Sequence, residues 1–318
     1  MDIPESSRIV YLDQNAWIEL SRVREGRKSS CDKKLLETIM QASNNGTAFF
    51  PMSLIHLSEL PNPASPWRKE LLSLMIEISK YYTFTPCWFI LRELEIKNLI
   101  LREFDIPPIN VRSYFVGKGF SHLIGKNPTI KSESTDPETL KKVNQELQNA
   151  LNDPEEFLFL AQKIFKDSTR GLITDVQKYE DIRERLSKIK DNRCRRKAFL
   201  WANIFSTILP QLYAFLNEMN LPLSLTEKIF GNYDADVFLS KLPTALCEFM
   251  LMFQRDQQSN RPIQVNDSYD IWHLTLAIPY SDIVVTEKMW TTIAKNTKLD
   301  KICNTLILSS IDDLRDYL

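Results

Sequence analysis

The acidic residues of this chain that could do chemistry form one set of four, and its members lie far apart in the sequence. Clustered carboxylates repel one another unless a cation neutralises them. Ligation by oxygen alone suits Mg²⁺ or Mn²⁺ rather than zinc. Such an ion can lower the pKa of a bound water, orient a phosphodiester and stabilise the charge of an in-line displacement. We therefore predict a catalytic and metal-binding site formed by Asp13, Glu59, Asp270 and Glu287.

Each of these acids also has an ordinary structural explanation. Asp13 could cap the helix that follows it, and Glu59 could be a solvated acid on a helix. Asp267 and Asp270 share one helix face and imitate a capping box, with Asp267 as the N-cap. Asp270 lies nearer the core side and is the favoured ligand of the two. The set as a whole, more than any single residue, favours the metal site.

Five further residues are supporting candidates. Asn15, two residues after Asp13, could hydrogen-bond a phosphate or a bound water. Lys288, directly after Glu287, could contact phosphate or pair with that acid. The histidine continues the helix face of Asp270 by one turn, where a buried supporting role is commoner than ligation. Asp282 precedes the strand predicted at residues 284–286, where a structural role in a turn is the alternative. These candidates are Asn15, Asp267, His273, Asp282 and Lys288.

Strands and helices alternate at both ends of the chain, and this alternation positions the acids. Short runs rich in β-branched and aromatic residues predict strands, and amphipathic patterns between them predict helices. The order predicts an α/β fold with a mostly parallel, doubly wound sheet, in which ligands bind at the carboxyl ends of the strands. The predicted strands span residues 8–12, 47–50, 82–85, 284–286 and 305–308.

The middle of the chain has a different pattern, since residues 88–257 are predicted to be almost wholly helical. We therefore predict one α/β domain formed by residues 1–87 and 263–318, split by an all-helical insertion over residues 88–262. Residues 117–126 hold three of the seven glycines. They are predicted to form a mobile loop over the active site. This loop is not a P-loop, because its glycine spacing is wrong and Asn127 stands where Ser or Thr is required.

Charge restricts where nucleic acid could bind. The formal net charge is −1, so no global basic field is present and any such contact must be local. One basic group follows the first helix, and another lies in the most basic run of the chain, residues 183–197. Phosphate contact there would be salt-sensitive, while a solvated helix face is the alternative. The candidate contacts are Arg22, Arg24, Arg27, Lys28, Arg193, Arg195 and Arg196.

The remaining composition favours a reduced, intracellular protein. The five cysteines are scattered and never spaced as CxxC, and the three histidines lie far from any cysteine pair. This pattern favours free thiols over disulfides or structural zinc. The N-terminus has no apolar signal core, and no window approaches the ~18 apolar residues of a membrane span. We expect a cytoplasmic protein without a membrane partner.

Four segments of the chain resemble the motifs of the PIN-domain (PIN-like) nucleases, in the same order. The family's first strand and leading acid are similar to VYLDQNAW, and the helix with its glutamate is similar to SLIHLSEL. The helix with the third acid is similar to YDIWHLTLA, and the strand end with the fourth is similar to DIVVTEKMW. The resemblance covers residues 8–86 and 264–308, outside the helical insertion. By this resemblance, the four acids of the family's site correspond to Asp13, Glu59, Asp270 and Glu287.

The resemblance implies an α/β/α sandwich and an endoribonuclease dependent on Mg²⁺ or Mn²⁺, which leaves 5′-phosphate and 3′-hydroxyl ends. Such enzymes act as toxins or defence effectors, or in RNA processing and decay, and a protein inhibitor or complex partner would accompany some of these roles. The chain departs from the family by Glu287, where Asp is commoner, and by its long insertion. The alternatives are a structure-selective DNA nuclease and a non-catalytic PIN-like scaffold that binds a protein or nucleic-acid partner. The oligomeric state is left open.

Overall fold

Most of the chain is defined in the structure, which is a computed structural model. It describes residues 3–4, 6–60, 66–125, 129–132, 136–151, 153, 156–157, 159–160, 180–231, 234–258, 261–262 and 264–318. Six strands are present in this part of the chain. In order they are β1 (Arg8–Leu12), β2 (Ala48–Phe49), β3 (Tyr82–Phe84), β4 (Val116–Lys118), β5 (Ile283–Val285) and β6 (Leu306–Leu308).

A four-stranded parallel sheet lies at the centre of the fold, with the strand order β2-β1-β5-β6. Val10 of β1 is paired with Ile283 of β5, and Val284 of β5 with Ile307 of β6. β1 and β5 are therefore direct neighbours although the whole helical middle of the chain separates them in sequence. The predicted α/β class with a parallel sheet is confirmed.

Helices cover both faces of this sheet. The early helices are α1 (Gln14–Arg24), α2 (Lys33–Asn45), α3 (Leu54–Ser58), α4 (Pro66–Ser79), α5 (Trp88–Arg102), α6 (Arg112–Phe115), α7 (Phe120–Ile124) and α8 (Pro137–Leu151). The later ones are α9 (Asn192–Asn203), α10 (Leu209–Glu218), α11 (Leu225–Phe230), α12 (Ala235–Leu239), α13 (Pro243–Asp256), α14 (Val265–Ala277), α15 (Lys288–Asn296) and α16 (Leu299–Ile302). Residues 180–187 are also helical, and a 3-10 helix spans Asp312–Tyr317.

Two apolar cores lie on opposite faces of the sheet because side chains alternate along each strand. Ile9 and Tyr11 of β1 enter the first core, while Val10 and Leu12 enter the second. Helices α1, α2 and α4 complete the second core, and α5, α9, α13, α14 and α15 complete the first. Strands buried on both faces read as continuous apolar runs, which is why RIVYL was a clear strand signal.

The predicted strand at residues 82–85 is present as β3 but belongs to a separate two-stranded sheet. β3 is antiparallel to β4, with Thr83 opposite Gly117. β4 is a three-residue strand within the predicted insertion, so that insertion is not all-helical. The prediction of a loop over residues 117–126 was also wrong, since β4 and α7 occupy 116–124; residues 126–128 lie outside the described chain. A Cβ on Gly117 would come within 2.3 Å of the His122 ring, so this position requires glycine.

Helices α5, α9 and α13 of the predicted insertion share the first core with the sheet, while α7 and α8 contribute to the second core. Ile96 of α5 and Leu251 of α13 are completely buried in the same apolar cluster as Tyr11 and Val284 of the strands. Buried apolar area is the main favourable term in folding. These helices therefore stabilise the sheet whose carboxyl edge carries the predicted acids.

One long helix, Asn192–Glu218, runs through α9 and α10 with a π turn over Ile204–Ile208 between them. Pro210 lacks an amide hydrogen and cannot bond to the carbonyl of Ser206, and a π turn accommodates such an interruption. By length and composition alone this helix is long and apolar enough to cross a membrane, with a mean hydropathy of 1.3. Its side chains Phe199, Ile208 and Leu212 are buried in the first core.

Candidate active site

Asp13 lies at the carboxyl end of β1 and is the N-cap of α1. Its Oδ1 accepts a hydrogen bond from the Asn15 amide at 2.7 Å, and its Oδ2 accepts one from Thr286 Oγ1 at 3.3 Å. The capping explanation is therefore correct, and it coexists with a place in the acidic site. Burial raises the pKa of Asp13 to about 6, and the charge of Glu287 adds to this rise, while the hydrogen bonds oppose it.

Glu287 lies at the carboxyl end of β5, next to Asp13 because β1 and β5 are parallel neighbours. Its Oε1 accepts a hydrogen bond from Asn15 Nδ2 at 2.8 Å. It also occupies the N-cap position of α15, and its side chain makes no capping bond there. Asn15 thus links the two strand ends, through its amide to Asp13 and through its side chain to Glu287.

Asp270 and Glu59 complete the set from two helices. Asp270 of α14 accepts a hydrogen bond from Trp290 Nε1 at 2.8 Å; burial raises the pKa of its carboxyl to about 7, and the charges of Asp13 and Glu287 contribute. Glu59 is the C-cap residue of α3 rather than a residue within it. Burial raises the pKa of Glu59 to about 8, with contributions from Asp270, Asp13 and Glu287. All four predicted acids therefore belong to one electrostatic cluster.

The four acids line one cleft with a volume of about 560 Å³. The cluster offers oxygen ligands alone, and its mutual repulsion is what a bound cation would relieve. Across the described residues, no group of three or more His, Cys, Asp or Glu side chains is placed to hold an ion directly. Mg²⁺ usually keeps several waters and binds through one or two carboxylates. The donor set of four carboxylates would suit a hydrated Mg²⁺ or Mn²⁺.

Tyr11 and His273 form the buried floor of this cleft. Burial raises the pKa of Tyr11 well above 10, and the charges of Asp13, Glu59 and Asp270 add to this effect, so the phenol keeps its proton. Burial lowers the pKa of His273 to about 3, which keeps the ring neutral. The Tyr11 hydroxyl and His273 Nδ1 are hydrogen-bonded to each other. His273 supports the site as a neutral ring, with that nitrogen already engaged.

Asp267 does not line the cleft, and the predicted capping box was wrong by three residues. Gln264 is the N-cap of α14, and Asp267 at position N3 accepts a hydrogen bond from its amide at 2.8 Å. The other partners of Asp267 are two arginines, Arg255 at 2.7 Å and Arg261 at 3.1 Å. Asp267 and Arg255 are each 1% exposed at the side chain. This acid therefore anchors the start of α14 through a buried ion pair.

Asp282 and Lys288, the other supporting candidates, occupy different places. Asp282 precedes β5 at the opposite end from Glu287, where its Oδ2 accepts hydrogen bonds from the Ile9 amide at 2.7 Å and from Arg112 at 2.6 Å. Asp282 therefore links the start of β5 to β1 and to α6. Lys288 lines a second cavity of about 350 Å³, which also borders Asp13 and Glu287.

The first group of predicted nucleic-acid contacts lies outside the acidic cleft, on the first helix and the turn after it. Its arginines pair with carboxylates of their own helix, of the next turn or of α4, and Lys28 is exposed. The guanidinium of Arg27 also lies over the ring of Trp67, 5.6 Å from its centroid. The pairs are Arg22 with Glu19, Arg24 with Glu77, and Arg27 with Glu25.

The second group also lies outside the acidic cleft. Arg193 and Arg196 line a separate cavity of about 520 Å³ together with Asp234 and Asp236, and Arg196 pairs with Asp236. Arg195 donates to the carbonyl of Ile189 at 2.6 Å and 2.8 Å, which closes the turn before α9. Neither basic group provides a cation to the described lining of the cleft.

Arg261 is a charged cleft residue that sequence reasoning missed. It lines the same cavity as the four acids, and its side chain is 41% exposed. It lies in an irregular segment before α14, where no helical or strand periodicity assigns a direction to a side chain. The only available signal was its position six residues before Asp267, an acid with which it pairs.

Comparison of this chain with known protein families, with curated proteins and with solved structures finds no match. The site is defined by its own chemistry, as three half-buried carboxylates and the exposed Glu287 at the carboxyl edge of a parallel sheet. Open α/β sheets place their ligand sites at this edge. Groups whose pKa values are displaced by burial and by neighbouring charge, in a cleft, are candidates for functional residues.

Proposed function

We propose that this protein is a metal-dependent PIN-like endoribonuclease that hydrolyses RNA phosphodiester bonds. The observation that supports this proposal best is the convergence of Asp13, Glu59, Asp270 and Glu287, from four separate segments, on one cleft. Each of Asp13, Glu59 and Asp270 has its pKa raised by burial and by the charge of other members of the set. Mutually repelling carboxylates that are partly removed from water are costly to a fold, and a cation-dependent function would account for their placement.

The same four acids would hold Mg²⁺ or Mn²⁺, one or two of them directly and the others through water. When bound, the ion would supply charge stabilisation at the phosphate and a more acidic water. The chain itself fixes the acids in place: Asn15 Nδ2 holds Glu287 Oε1, and Trp290 Nε1 holds Asp270 Oδ2. The buried rings of Tyr11 and His273 close the base of the cleft and exclude water from that side.

The test combines metal binding with cleavage on the same samples. We expect wild-type protein to bind Mn²⁺ in a calorimeter and to cleave RNA, and the Asp13→Asn/Asp270→Asn double variant to do neither. Asp313→Asn is the matched control, since Asp313 is an exposed acid outside the described lining of the cleft. Parallel RNA and DNA substrates separate the endoribonuclease from a DNA nuclease.

Two results would contradict the proposal. Wild-type protein that binds no Mn²⁺ would remove the metal site and favour a non-catalytic scaffold. Cleavage that survives in the double variant at the wild-type rate would show that the acids are not the catalytic groups. Loss of both properties in the Asp313→Asn control would point to general damage from substitution instead.

A further inference from the structure

We propose that Arg261 is a substrate-binding residue that holds a phosphate group of the nucleic acid in the acidic cleft. This inference depends on the proposed nuclease function and adds a residue to it. Of the described residues that line the cleft, only Arg261 carries a positive charge, because burial keeps His273 neutral. A phosphodiester that approaches four carboxylates meets repulsion, and a cation on the cleft wall offsets it.

The contacts of Arg261 hold its guanidinium without neutralising it. Its Nη2 donates to Asp267 Oδ1 at 3.1 Å, and its Nη1 contacts Met289 Sδ. Asp267 is already paired through its other oxygen with Arg255, which is fully buried. Two guanidinium groups thus share one carboxylate, and the triad keeps one net positive charge. That charge is available at Arg261, the partner exposed to the cleft.

The backbone of Arg261 is fixed as well. Arg255 donates to the carbonyl of Arg261 at 3.3 Å and to that of Pro262 at 2.6 Å. A guanidinium has five N–H donors in a rigid fork, and the described contacts of Arg261 use one on each terminal nitrogen. The remaining donors match the oxygens of a phosphate. A pre-positioned arginine loses little side-chain freedom on binding, so the site is built for an anionic ligand rather than for a base.

Two substitutions at Arg261 separate the contribution of its charge from that of its guanidinium geometry. We expect Arg261→Gln to lower kcat/KM on RNA roughly 10- to 100-fold, as for loss of one charge-assisted hydrogen bond. Arg261→Lys keeps the charge but loses the planar arrangement of donors, so its kcat/KM should lie between those of wild-type protein and Arg261→Gln. Arg315→Gln is the matched control, because Arg315 is also partly exposed and paired with carboxylates, at 34% exposure, but lies outside the described cleft lining.

Two further readouts exclude a purely structural role. In equilibrium binding of single-stranded RNA, Arg261→Gln should reduce the slope of log K against log salt by about 0.7, the value for one phosphate contact. With a neutral methylphosphonate placed in turn at each position adjoining the scissile phosphate, wild-type protein should lose activity at one position. At that position Arg261→Gln should lose nothing further, since the contact is already absent.

The outcomes distinguish this inference from the proposed function. Wild-type protein that cleaves no RNA contradicts the function itself. Wild-type protein that cleaves RNA while Arg261→Gln retains its kcat/KM and salt slope contradicts the inference alone. Additive losses at every methylphosphonate position also contradict it, because they show that Arg261 acts on no particular phosphate.

Discussion

Asp13 is both a helix cap and a member of a cluster of like charges, and these two properties have opposite effects on stability. The cap satisfies the Asn15 amide at the start of α1, while the charge lies half-buried beside Glu287. Because Asn also caps helices well, Asp13→Asn keeps the first effect and removes the second. We expect it to raise the free energy of unfolding by about 1 kcal/mol at pH 8 in the presence of a chelator. Urea unfolding measures this.

The same variant is then measured with Mn²⁺. Under the proposed function the ion stabilises wild-type protein by mass action and leaves Asp13→Asn nearly unchanged, so the order of stability reverses. A variant that is less stable than wild type in chelator would show that the cap geometry, and not charge repulsion, dominates at Asp13.

The Tyr11 and His273 pair shows how strand alternation places polar side chains at the base of the cleft. Tyr11 alternates with Val10 and Leu12 along β1, and it alone of the three points toward the cleft and the first core. Its hydroxyl is buried, so it requires a partner, and His273 provides one. The polar floor of the cleft is thus a consequence of the strand alternation that also places Asp13 at the strand end.

At the scale of elements, a buried ion pair joins α13 to α14. Removing one partner of such a pair leaves the other charge buried and uncompensated, at a cost of about 3–5 kcal/mol. We expect Asp267→Asn to destabilise the protein by about 3 kcal/mol, since Arg255 is 1% exposed at its side chain. Urea unfolding of Asp267→Asn, Arg255→Met and the double variant forms a double-mutant cycle. A double variant as unstable as the sum of the singles would contradict direct coupling.

Glu95 of α5 joins three elements and gives the fold a pH dependence. It accepts hydrogen bonds from Tyr280 at 2.6 Å and from Thr244 Oγ1 at 2.7 Å, and burial raises its pKa to about 7 against an ordinary 4.5. The folded state therefore binds more protons than the unfolded state between pH 4.5 and 7. Stability from this group is full below pH 4.5 and falls as the pH rises toward 7.

The comparison of wild-type protein with Glu95→Gln isolates this effect from other buried acids. We expect the free energy of unfolding to fall more steeply with pH in the wild type, by up to about 1.4 kcal/mol per pH unit between pH 5 and 7. Parallel curves would show that Glu95 is ionised in the folded protein throughout that range. Asp313→Asn, an exposed acid, is the control and should follow the wild type.

A helix or strand could be predicted from the sequence where a local residue pattern identifies it. β1 and β5 are continuous apolar runs buried on both faces, so their ends, and hence Asp13 and Glu287, were predictable. β4 is the three-residue segment VGK, too short and too glycine-rich for a strand signal. The start of α14 was misplaced because three polar residues, Gln264, Asn266 and Asp267, could each begin a helix. Arg261 lies in an irregular segment, where only tertiary pairing sets its direction.

At the scale of the whole molecule, the middle of the chain contributes to both cores, and most of its described helices pack in the first. Phe84, Tyr11 and Val284 pack in a cluster with Leu99 of α5 and Phe249 of α13, all of them buried. A parallel sheet needs cover on both faces, and helices after β3 provide it on this face. The acidic edge is therefore held in place by helices from outside the segments that carry the acids.

Joining residue 87 to residue 264 by a short glycine–serine linker tests this dependence. We expect the shortened chain to lose cooperative unfolding, because the apolar face of β1 and β5 would be exposed to water. Circular dichroism during urea unfolding and hydrogen exchange of the β1 amides measure the result, with the full chain as reference. A cooperative transition with protected β1 amides would instead show that residues 1–87 and 264–318 fold by themselves. Mn²⁺ binding by that shortened chain would then locate the whole acidic site within those two segments.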